Sequence, residues 1–413
     1  MAMSWSASLL LWLAAIPFLV GAPACVSSER SDRIRVFEEI PSPAGPASGQ
    51  PHLASAGADV YLSWLERAEG EAPALRFARW NGQEWSQARS IASGENLFVN
   101  WADFPSLLAM EDGTLVAHWL EKREGGPYAY DVKIARSADR GATFGAPVSP
   151  HRDGVATEHG FVSLVDLGPG RFVAVWLDGR KIRTEKLPGG EEHLEGEMQL
   201  LASTFENGSF GPEVVLDPRV CDCCQTAAAA IGDEVLVAYR DRSPSEVRDI
   251  SFVRGVAGGW SPPAAVHADG WTIHGCPVNG PAVSVAGHRV AVTWYTASDE
   301  TQSVLVALSE DAGKTFSPPI RVDQGSPAGR VDVLWLPEGG SLVSWIERGE
   351  GSSAALRARV VRAGSAMEPP MDIATTRAIR SSGFPRMALA AGEIFIAWTD
   401  ASDPPRVRVG RLR

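Results

Sequence analysis

The sequence repeats one short pattern seven times: a few alternating apolar residues, then an aromatic residue, then a polar end. Examples are VYLSWLER, LVAHWLEK, FVAVWLDG and IFIAWTDA. The aromatic residues follow one another at intervals of 51 to 63 residues: Trp64, Trp119, Trp176, Tyr239, Trp294, Trp345 and Trp398. A unit that recurs along most of a chain predicts an array of similar supersecondary units that bury their apolar faces against their neighbours.

Strand signals flank each copy of the pattern. A strand and a Gly-, Asp- or Asn-containing turn such as MEDGT precede it, and a further strand such as VKIARS or VLVALS follows it. The apolar period is two, and no helical period occurs in the mature chain. Units of about 50 residues with several antiparallel strands predict an all-β fold, a single β-propeller of four-stranded blades. Seven blades are predicted, with six blades and a stray hairpin as the alternative.

The last unit ends after its third strand signal, RVRVGRLR. We predict that an early strand within Arg33–Ile40 (RIRVFEEI) supplies the missing outer strand, because this closes the ring and covers an open sheet edge. The predicted organisation is a signal peptide at 1–24, a tether with the closing strand at 25–49 and the propeller at 50–413.

The N-terminus resembles an export signal. Leu9–Gly21 is an apolar run too short for a comfortable membrane span, and the small residues Ala22 and Ala24 follow it, as before a cleavage site. Export to the periplasm, the outer membrane or the extracellular space is therefore predicted. Cys25 makes a lipid anchor the alternative to simple cleavage, although the usual lipoprotein pattern has Leu where this chain has Ala22.

The net charge of −12 argues against nucleic-acid binding, which needs a basic face. It still allows an anionic small molecule to bind at a local arginine cluster. A monomer is expected.

Two turns carry a more specific signature. SADRGATF at 137–144 and SEDAGKTF at 309–316 share Ser-x-Asp-x-Gly-x-Thr-Phe, in which Asp caps a tight turn, Gly takes a positive φ and Phe anchors the turn. This motif resembles the Asp-box, or BNR repeat, of sialidase-like β-propellers. CDCCQT, YRDRS and GCPVNGP together resemble a poorly characterised, exported subgroup of that family.

The resemblance implies a glycoside hydrolase that holds a carboxylate with three arginines and uses a Tyr nucleophile, a Glu and an acid/base Asp. This chain departs from that pattern. It has too many units, it lacks the family's N-terminal Arg-Ile-Pro element, and Tyr239 already belongs to the repeat. Whether the protein is an enzyme therefore stays open.

An acid or Thr stands two places after each repeated aromatic residue, as in Asp178 and Asp241. A feature shared by all blades is expected to be structural, as capping or solvation. The alternative is a catalytic carboxylate among them, for which Asp178 and Asp241 are the candidates.

Arginines interrupt the pattern in two neighbouring blades. The candidate substrate-binding residues, all in loops that follow second strands, are Arg180, Arg240, Arg242 and Arg248. One interpretation is a pocket for a glycan carboxylate, sulfate or phosphate. The alternative is a set of surface ion pairs.

Four cysteines fall at matching places in neighbouring units. Cys221 precedes Tyr239 by 18 residues and Cys276 precedes Trp294 by 18, so Cys221, Cys223 and Cys224 are predicted to meet Cys276 at the mouth of the channel. His274 lies beside them. Disulfides are one interpretation in an exported protein. A thiolate site for Cu(I) or Zn(II), with His274 as a further ligand, is the second, and a redox or catalytic thiol is the third.

Three functions follow from these features. The first is recognition of a glycan-type or other anionic ligand in the central funnel, with or without hydrolysis. The second is a periplasmic or surface metal protein that binds copper or zinc. The third is a protein-interaction scaffold whose cysteines form structural disulfides.

Overall fold

The described part of the computed structural model is built almost entirely of β-strands, which form seven antiparallel blade sheets around a central channel and one separate two-stranded hairpin. It describes residues 36–186, 192–256, 259–364 and 367–413, together with Met1 and Met3. The predicted signal peptide and Cys25 therefore lie outside the described residues. Within the described residues, no helix is both long and apolar enough to cross a membrane.

Within each of the first three blades, successive strands run from the innermost to the outermost position. Blade one contains β2 Ser48–Ala56, β3 Asp59–Glu66, β4 Ala74–Trp80 and β5 Arg89–Ser93, after the separate N-terminal strand β1 Phe37–Ile40. Blade two contains β6 Ser106–Ala109, β7 Leu115–Lys122 and β8 Tyr130–Ser137, with a single bridge between Ile134 and Val148 in the fourth position. Blade three contains β9 His159–Asp166, β10 Phe172–Asp178, the hairpin β11 Arg183–Lys186 and β12 Glu192–Glu195, then β13 Met198–Glu206, β14 Ser209–Phe210 and β15 Val214–Val220.

The remaining four blades repeat this order. Blade four contains β16 Ala227–Ile231, β17 Glu234–Arg240, β18 Ile250–Val256, β19 Gly259–Trp260 and β20 Ala264–Ala265. Blade five contains β21 Ala282–Ala286, β22 Arg289–Thr296, β23 Ser303–Ser309 and β24 Ile320–Arg321, and blade six contains β25 Pro327–Trp335, β26 Ser341–Arg348, β27 Ser353–Val361 and β28 Met371–Arg377. Blade seven contains β29 Arg386–Ala390, β30 Glu393–Asp400 and β31 Arg406–Leu412. Two short 3-10 helices, Ser298–Glu300 and Arg380–Ser382, lie between strands.

The ring closes through its innermost strands. Each inner strand contacts the inner strand of the next blade, from β2 through β6, β9, β16, β21 and β25 to β29, and β29 contacts β2 again. All seven inner strands contribute residues to a channel cavity of about 290 Å³. The predicted seven-bladed propeller is confirmed.

The N-terminal strand completes blade seven, as predicted. Strand β1 pairs antiparallel with β31, with Phe37 opposite Leu412 and Ile40 opposite Val409. The Phe37 ring lies 6.1 Å from the Trp398 ring and directly over Gly410, where a Cβ atom would come within 2.3 Å of it. The two ends of the propeller chain are thus joined in one sheet, which leaves β31 without an open edge.

The repeated aromatic residues lie on the second strand of each blade and are buried between neighbouring sheets. A buried indole needs an acceptor for its N–H group. In four blades the acid two places later accepts that hydrogen bond, at 2.7 to 2.9 Å: Trp64 to Glu66, Trp119 to Glu121, Trp176 to Asp178 and Trp345 to Glu347. Trp294 and Tyr239 donate instead to Asp269 and Asp217. The recurring acids therefore include structural partners of the aromatic residues.

The two Ser-x-Asp-x-Gly-x-Thr-Phe turns have the same internal hydrogen bonds. In the first, Asp139 accepts from the backbone N–H and the hydroxyl of Thr143, and Ser137 Oγ accepts from the N–H of Gly141. Gly141 has a φ of +82°, and a Cβ atom there would come within 2.4 Å of the Phe77 ring. The turn therefore requires glycine both for its conformation and for its close approach to blade one.

Replacing Phe37 with Ala should lower the free energy of unfolding by about 2 kcal/mol, because the ring then no longer covers Gly410 and Trp398. Val36→Ala is the matched control, since Val36 is exposed. Urea unfolding followed by tryptophan fluorescence measures both variants. Equal stability of the two variants would show that strand β1 does not hold the ring closed.

Candidate functional site

Two connections between blades meet at the mouth of the channel. Residues 221–226 join β15 to β16 and carry Cys221, Cys223 and Cys224, while the connection from β20 to β21 carries Cys276. The first connection is anchored at both ends. The N–H of Cys221 donates to Arg240 O at 3.0 Å, and Gln225 donates to Ala102 O and accepts from the N–H of Gly280. Gln225 thereby ties blades two, four and five together beside the cysteines.

Three sulfur atoms form a compact triangle. Cys221 Sγ lies 3.4 Å from Cys224 Sγ and 3.8 Å from Cys223 Sγ, and all three lie within 4.8 Å of one another. Cys221 and Cys224 are buried, and Cys223 is half-buried. All four described cysteines are free thiols, so none of the disulfides considered from the sequence is formed in this structure.

Cys276 lies at the exposed side of the same cluster. Its sulfur is 3.9 Å from Asp222 Oδ1, and the ligand atoms of Asp222, Cys223 and Cys276 also lie within 4.8 Å of one another. Cys223 therefore belongs to both groups. The spacing of the cysteines predicted that four thiols lie close together. Nothing in the sequence distinguished Asp222 from other acids in loops.

A buried guanidinium group faces the sulfur triangle. Arg248 is 4% exposed, and its Nη1 donates to Cys221 Sγ at 3.3 Å. Hydrogen bonds from Cys223 and Cys224 lower the pKa of Cys221 well below that of an ordinary thiol, and the positive charge of Arg240 acts in the same direction. Burial raises the pKa of Cys224. These surroundings therefore favour the thiolate form of Cys221.

His274 is exposed. It belongs to none of the groups of closely spaced metal-ligating atoms found among the described residues. Its role as a metal ligand stays a prediction.

Arg240, predicted to bind substrate, is buried at 1% exposure. Its guanidinium group donates to the backbone carbonyls of Asn279, Tyr295 and Arg248, and it lies 4.9 Å from the centre of the Trp271 ring. A guanidinium group has five N–H donors, so these bonds use most of its capacity. Arg240 joins blades four and five in this structure.

Arg242 and Arg248 share one carboxylate. Arg242 pairs with Glu246 at 2.9 Å and Arg248 pairs with the same residue at 2.8 Å. An anionic ligand at either arginine would therefore compete with Glu246. Asp241, a candidate catalytic residue, accepts from Ser251 Oγ at 3.0 Å, and burial raises its pKa.

Arg180 and Asp178 form a buried charge network in blade three. Arg180 donates to both oxygens of Asp178, at 2.7 and 2.6 Å, and also pairs with Asp153 and Glu213. Burial alone would raise the pKa of Asp178, but hydrogen bonds from Arg180 and Trp176 and the neighbouring His159 lower it. Asp178 is therefore a carboxylate with its lone pairs already engaged.

Two stacked imidazoles extend this network. The rings of His151 and His159 are 3.9 Å apart and nearly parallel, and His159 Nε2 lies 3.1 Å from Asp153 Oδ2. His151 Nε2 accepts from the backbone N–H of Val132 at 3.2 Å, so that nitrogen is not free to bind a metal. Burial lowers the pKa of His151 to about 4, which leaves this ring neutral at pH 7.

A second group of acids, Asp103 and Glu158, was not predicted from the sequence. The hydroxyl of Tyr130 lies 2.9 Å from Asp103 Oδ2 and 2.6 Å from Glu158 Oε1. Burial raises the pKa of Asp103 to about 7 and that of Glu158 to about 8, so these carboxyl groups tend to keep a proton near neutral pH. At Gly160 a Cβ atom would come within 1.9 Å of Asp103, so the position requires glycine. A single sequence does not reveal that requirement.

No protein-family model and no curated protein sequence matches the chain. Solved structures with similar folds include a Dyadobacter fermentans protein of unknown function, with 14% identity over 91% of this chain and 99% of that one and a TM-score of 0.49. A Penicillium chrysogenum alpha-L-arabinanase complexed with arabinobiose has 12% identity over 91% and 98% of the two chains and a TM-score of 0.48. The endosialidase of phage phi92 has 11% identity over 92% and 69% and a TM-score of 0.49.

The seven sheets themselves define the class: a seven-bladed β-propeller. The described residues place a cluster of four free thiols at the mouth of its channel, between blades three, four and five.

Replacing Arg180 with Ala should lower the free energy of unfolding by about 3 kcal/mol, because Asp178 and Asp153 would stay buried without their counter-charge. Arg242→Ala is the matched control. It should lower the same quantity by less than about 1 kcal/mol, since Glu246 keeps its pairing with Arg248. Chemical unfolding at pH 7 compares the two variants. A larger loss for Arg242→Ala would contradict the assignment of Arg180 to a structural network.

Proposed function

We propose that this protein binds a soft metal ion, Cu(I), through the thiolates of Cys221, Cys223 and Cys224. The observation that carries the proposal is the sulfur triangle, with two sides of 3.4 and 3.8 Å. Metal–sulfur bonds of about 2.3 Å place the sulfur ligands of one ion roughly 3.8 to 4.0 Å apart. Small side-chain rotations therefore convert the triangle into a ligand set around a single ion.

The surroundings of the triangle favour a bound cation with thiolate ligands. Three thiolates and one Cu(I) ion carry a net charge of −2. Arg240 and Arg248 bring positive charge next to Cys221, and Arg248 shares its charge with Glu246 and Asp222. The burial of Cys221 and Cys224 keeps water and oxidants away from the ion. Burying charge without such partners would be strongly unfavourable.

The donor set favours copper over zinc. Soft sulfur ligands select Cu(I) and Zn(II), but structural zinc sites have four ligands in a tetrahedron. The buried group offers three sulfur atoms and no imidazole among the described residues. Zinc binding would require Cys276 or Asp222 as a fourth ligand.

The predicted export of the protein supports this function. The apolar segment Leu9–Gly21 and the small residues after it support an exported protein, released or anchored at Cys25, in the periplasm, at the outer membrane or outside the cell. In such a compartment free thiols tend to form disulfides. A bound metal ion would keep its three cysteine ligands reduced.

The purified, reduced full-length chain should bind one equivalent of Cu(I) more tightly than the competing chelator bicinchoninate. Cys224→Ser should weaken this binding at least 100-fold, because the buried triangle loses one sulfur. Cys25→Ser is the matched control, as it removes a cysteine that is not one of the proposed ligands. Anaerobic competition titration with thiol counting measures both. Two disulfides and no bound metal in protein purified anaerobically would overturn the proposal.

Recognition of a glycan-type or other anionic ligand is a separate prediction. Its residues would be Arg180, Arg240, Arg242 and Arg248, with Asp178 and Asp241 as catalytic candidates if hydrolysis occurs. Arg240 already has its donors bonded to carbonyl groups, and the other three arginines pair with carboxylates.

For that reason we expect no turnover of a fluorogenic sialoside by the full-length protein. The assay includes Asp178→Asn and Asp241→Asn beside the unmodified chain. Turnover by the unmodified chain that is lost in both variants would contradict this expectation and favour the hydrolase.

A further inference from the structure

The cysteine cluster consists of two overlapping ligand groups rather than one. The inner position is formed by Cys221, Cys223 and Cys224, and the outer position by Asp222, Cys223 and Cys276. In each group the ligand atoms lie within 4.8 Å of one another. Cys223 is the shared member, so an ion at either position has this sulfur within reach.

Exposure differs sharply between the two positions. Cys221 and Cys224 are 1% and 2% exposed, whereas Cys276 is exposed and the side chain of Asp222 is 37% exposed. Cys223 is intermediate between them. The outer ligands thus face solvent, and Cys223 connects them to the buried sulfur atoms.

We infer that the cluster is a two-position relay, in which Cu(I) is captured at the outer position and passed through Cys223 to the inner position. The inference rests on the proposed function, since it needs a metal-binding cluster. It assigns Cys276 and Asp222 to capture, and Cys221 and Cys224 to retention.

The chemistry of the ligands sets the direction of transfer. The outer position offers two sulfur atoms and one carboxylate oxygen, whereas the inner position offers three sulfur atoms. A soft ion such as Cu(I) prefers thiolate to carboxylate, so the inner position binds it more tightly. Arg248 Nη1 lies 3.3 Å from Cys221 Sγ and 3.5 Å from Asp222 Oδ1, so its charge is shared by the two positions and the number of sulfur ligands sets the difference.

The transfer is a ligand exchange with no change in oxidation state. The ion keeps its bond to Cys223 while Cu–S bonds to Cys221 and Cys224 form and the bonds to Cys276 and Asp222 break. The Cys224 thiol releases its proton as it becomes a ligand, the Cys276 thiolate takes up a proton as it leaves, and the Asp222 carboxylate returns to solvent, so charge and atoms balance.

The two positions are also held differently by the fold. The inner cysteines belong to a connection fixed by the bond from the Cys221 N–H to Arg240 O and by both ends of the Gln225 amide. Of the outer ligands, Asp222 and Cys223 lie on the same connection, whereas Cys276 lies on the next one, after Gly275, where a Cβ atom would meet nothing within 4 Å. A fixed inner position and an accessible outer one suit retention and capture respectively.

The experiment separates the rate of loading from the affinity at equilibrium. Cu(I) is delivered to the reduced full-length chain from its coloured bicinchoninate complex under anaerobic conditions. Stopped-flow absorbance gives the loading rate, and competition titration gives the dissociation constant. Cys276→Ser, Cys224→Ser and Cys25→Ser are compared with the unmodified chain, and circular dichroism verifies that each variant is folded.

The relay predicts opposite effects of the two cluster variants. Cys276→Ser should slow loading at least tenfold and weaken the affinity far less than Cys224→Ser does. Cys224→Ser should weaken the affinity at least 100-fold while capture of the ion stays fast. Cys25→Ser should match the unmodified chain in both measurements.

Two results would overturn the relay, and they are distinguishable. If Cys276→Ser and Cys224→Ser weaken the affinity equally, the four thiols form a single site, and the relay fails while the proposed metal binding stands. If the unmodified chain binds no Cu(I), the proposed function fails together with the relay.

Discussion

Closure of the ring is the constraint on which the rest of this structure depends. The inner strands contact one another in sequence until β29 meets β2, and β1 adds to β31 so that both ends of the propeller share one sheet. The connections between blades then converge at one mouth of the channel. Cys276 therefore lies close to the cysteine triplet, although it follows Cys224 by 52 residues in the chain.

The buried aromatic residues explain much of the charge in the sequence. Each indole that fills the space between two sheets needs an acceptor, and in four blades a carboxylate two residues later provides it. That carboxylate is then buried or half-buried and attracts its own partners, as Asp178 attracts Arg180. Acids and arginines that resemble a catalytic set in the sequence are thus part of the packing between blades.

The thiol cluster differs from these networks because its groups remain free. The arginines predicted to bind a ligand donate to carbonyl groups or carboxylates, whereas the four sulfur atoms bond only weakly, to one another and to Arg248 and Asp222. Sulfur is a poor hydrogen-bond partner, so such contacts stabilise little. Soft ligands with weak internal bonds are available to a metal ion.

The sequence by itself determined the fold class, the seven blades, the closing strand and the common location of the cysteines. These features follow from the period of the repeat, which is a local property of the chain. Only the tertiary structure decided that Cys223 is shared by two ligand groups, that Arg240 is bonded to carbonyls and that Tyr130 joins Asp103 to Glu158. Each of these depends on the directions of side chains from different blades or loops, and no pattern along one chain encodes such directions.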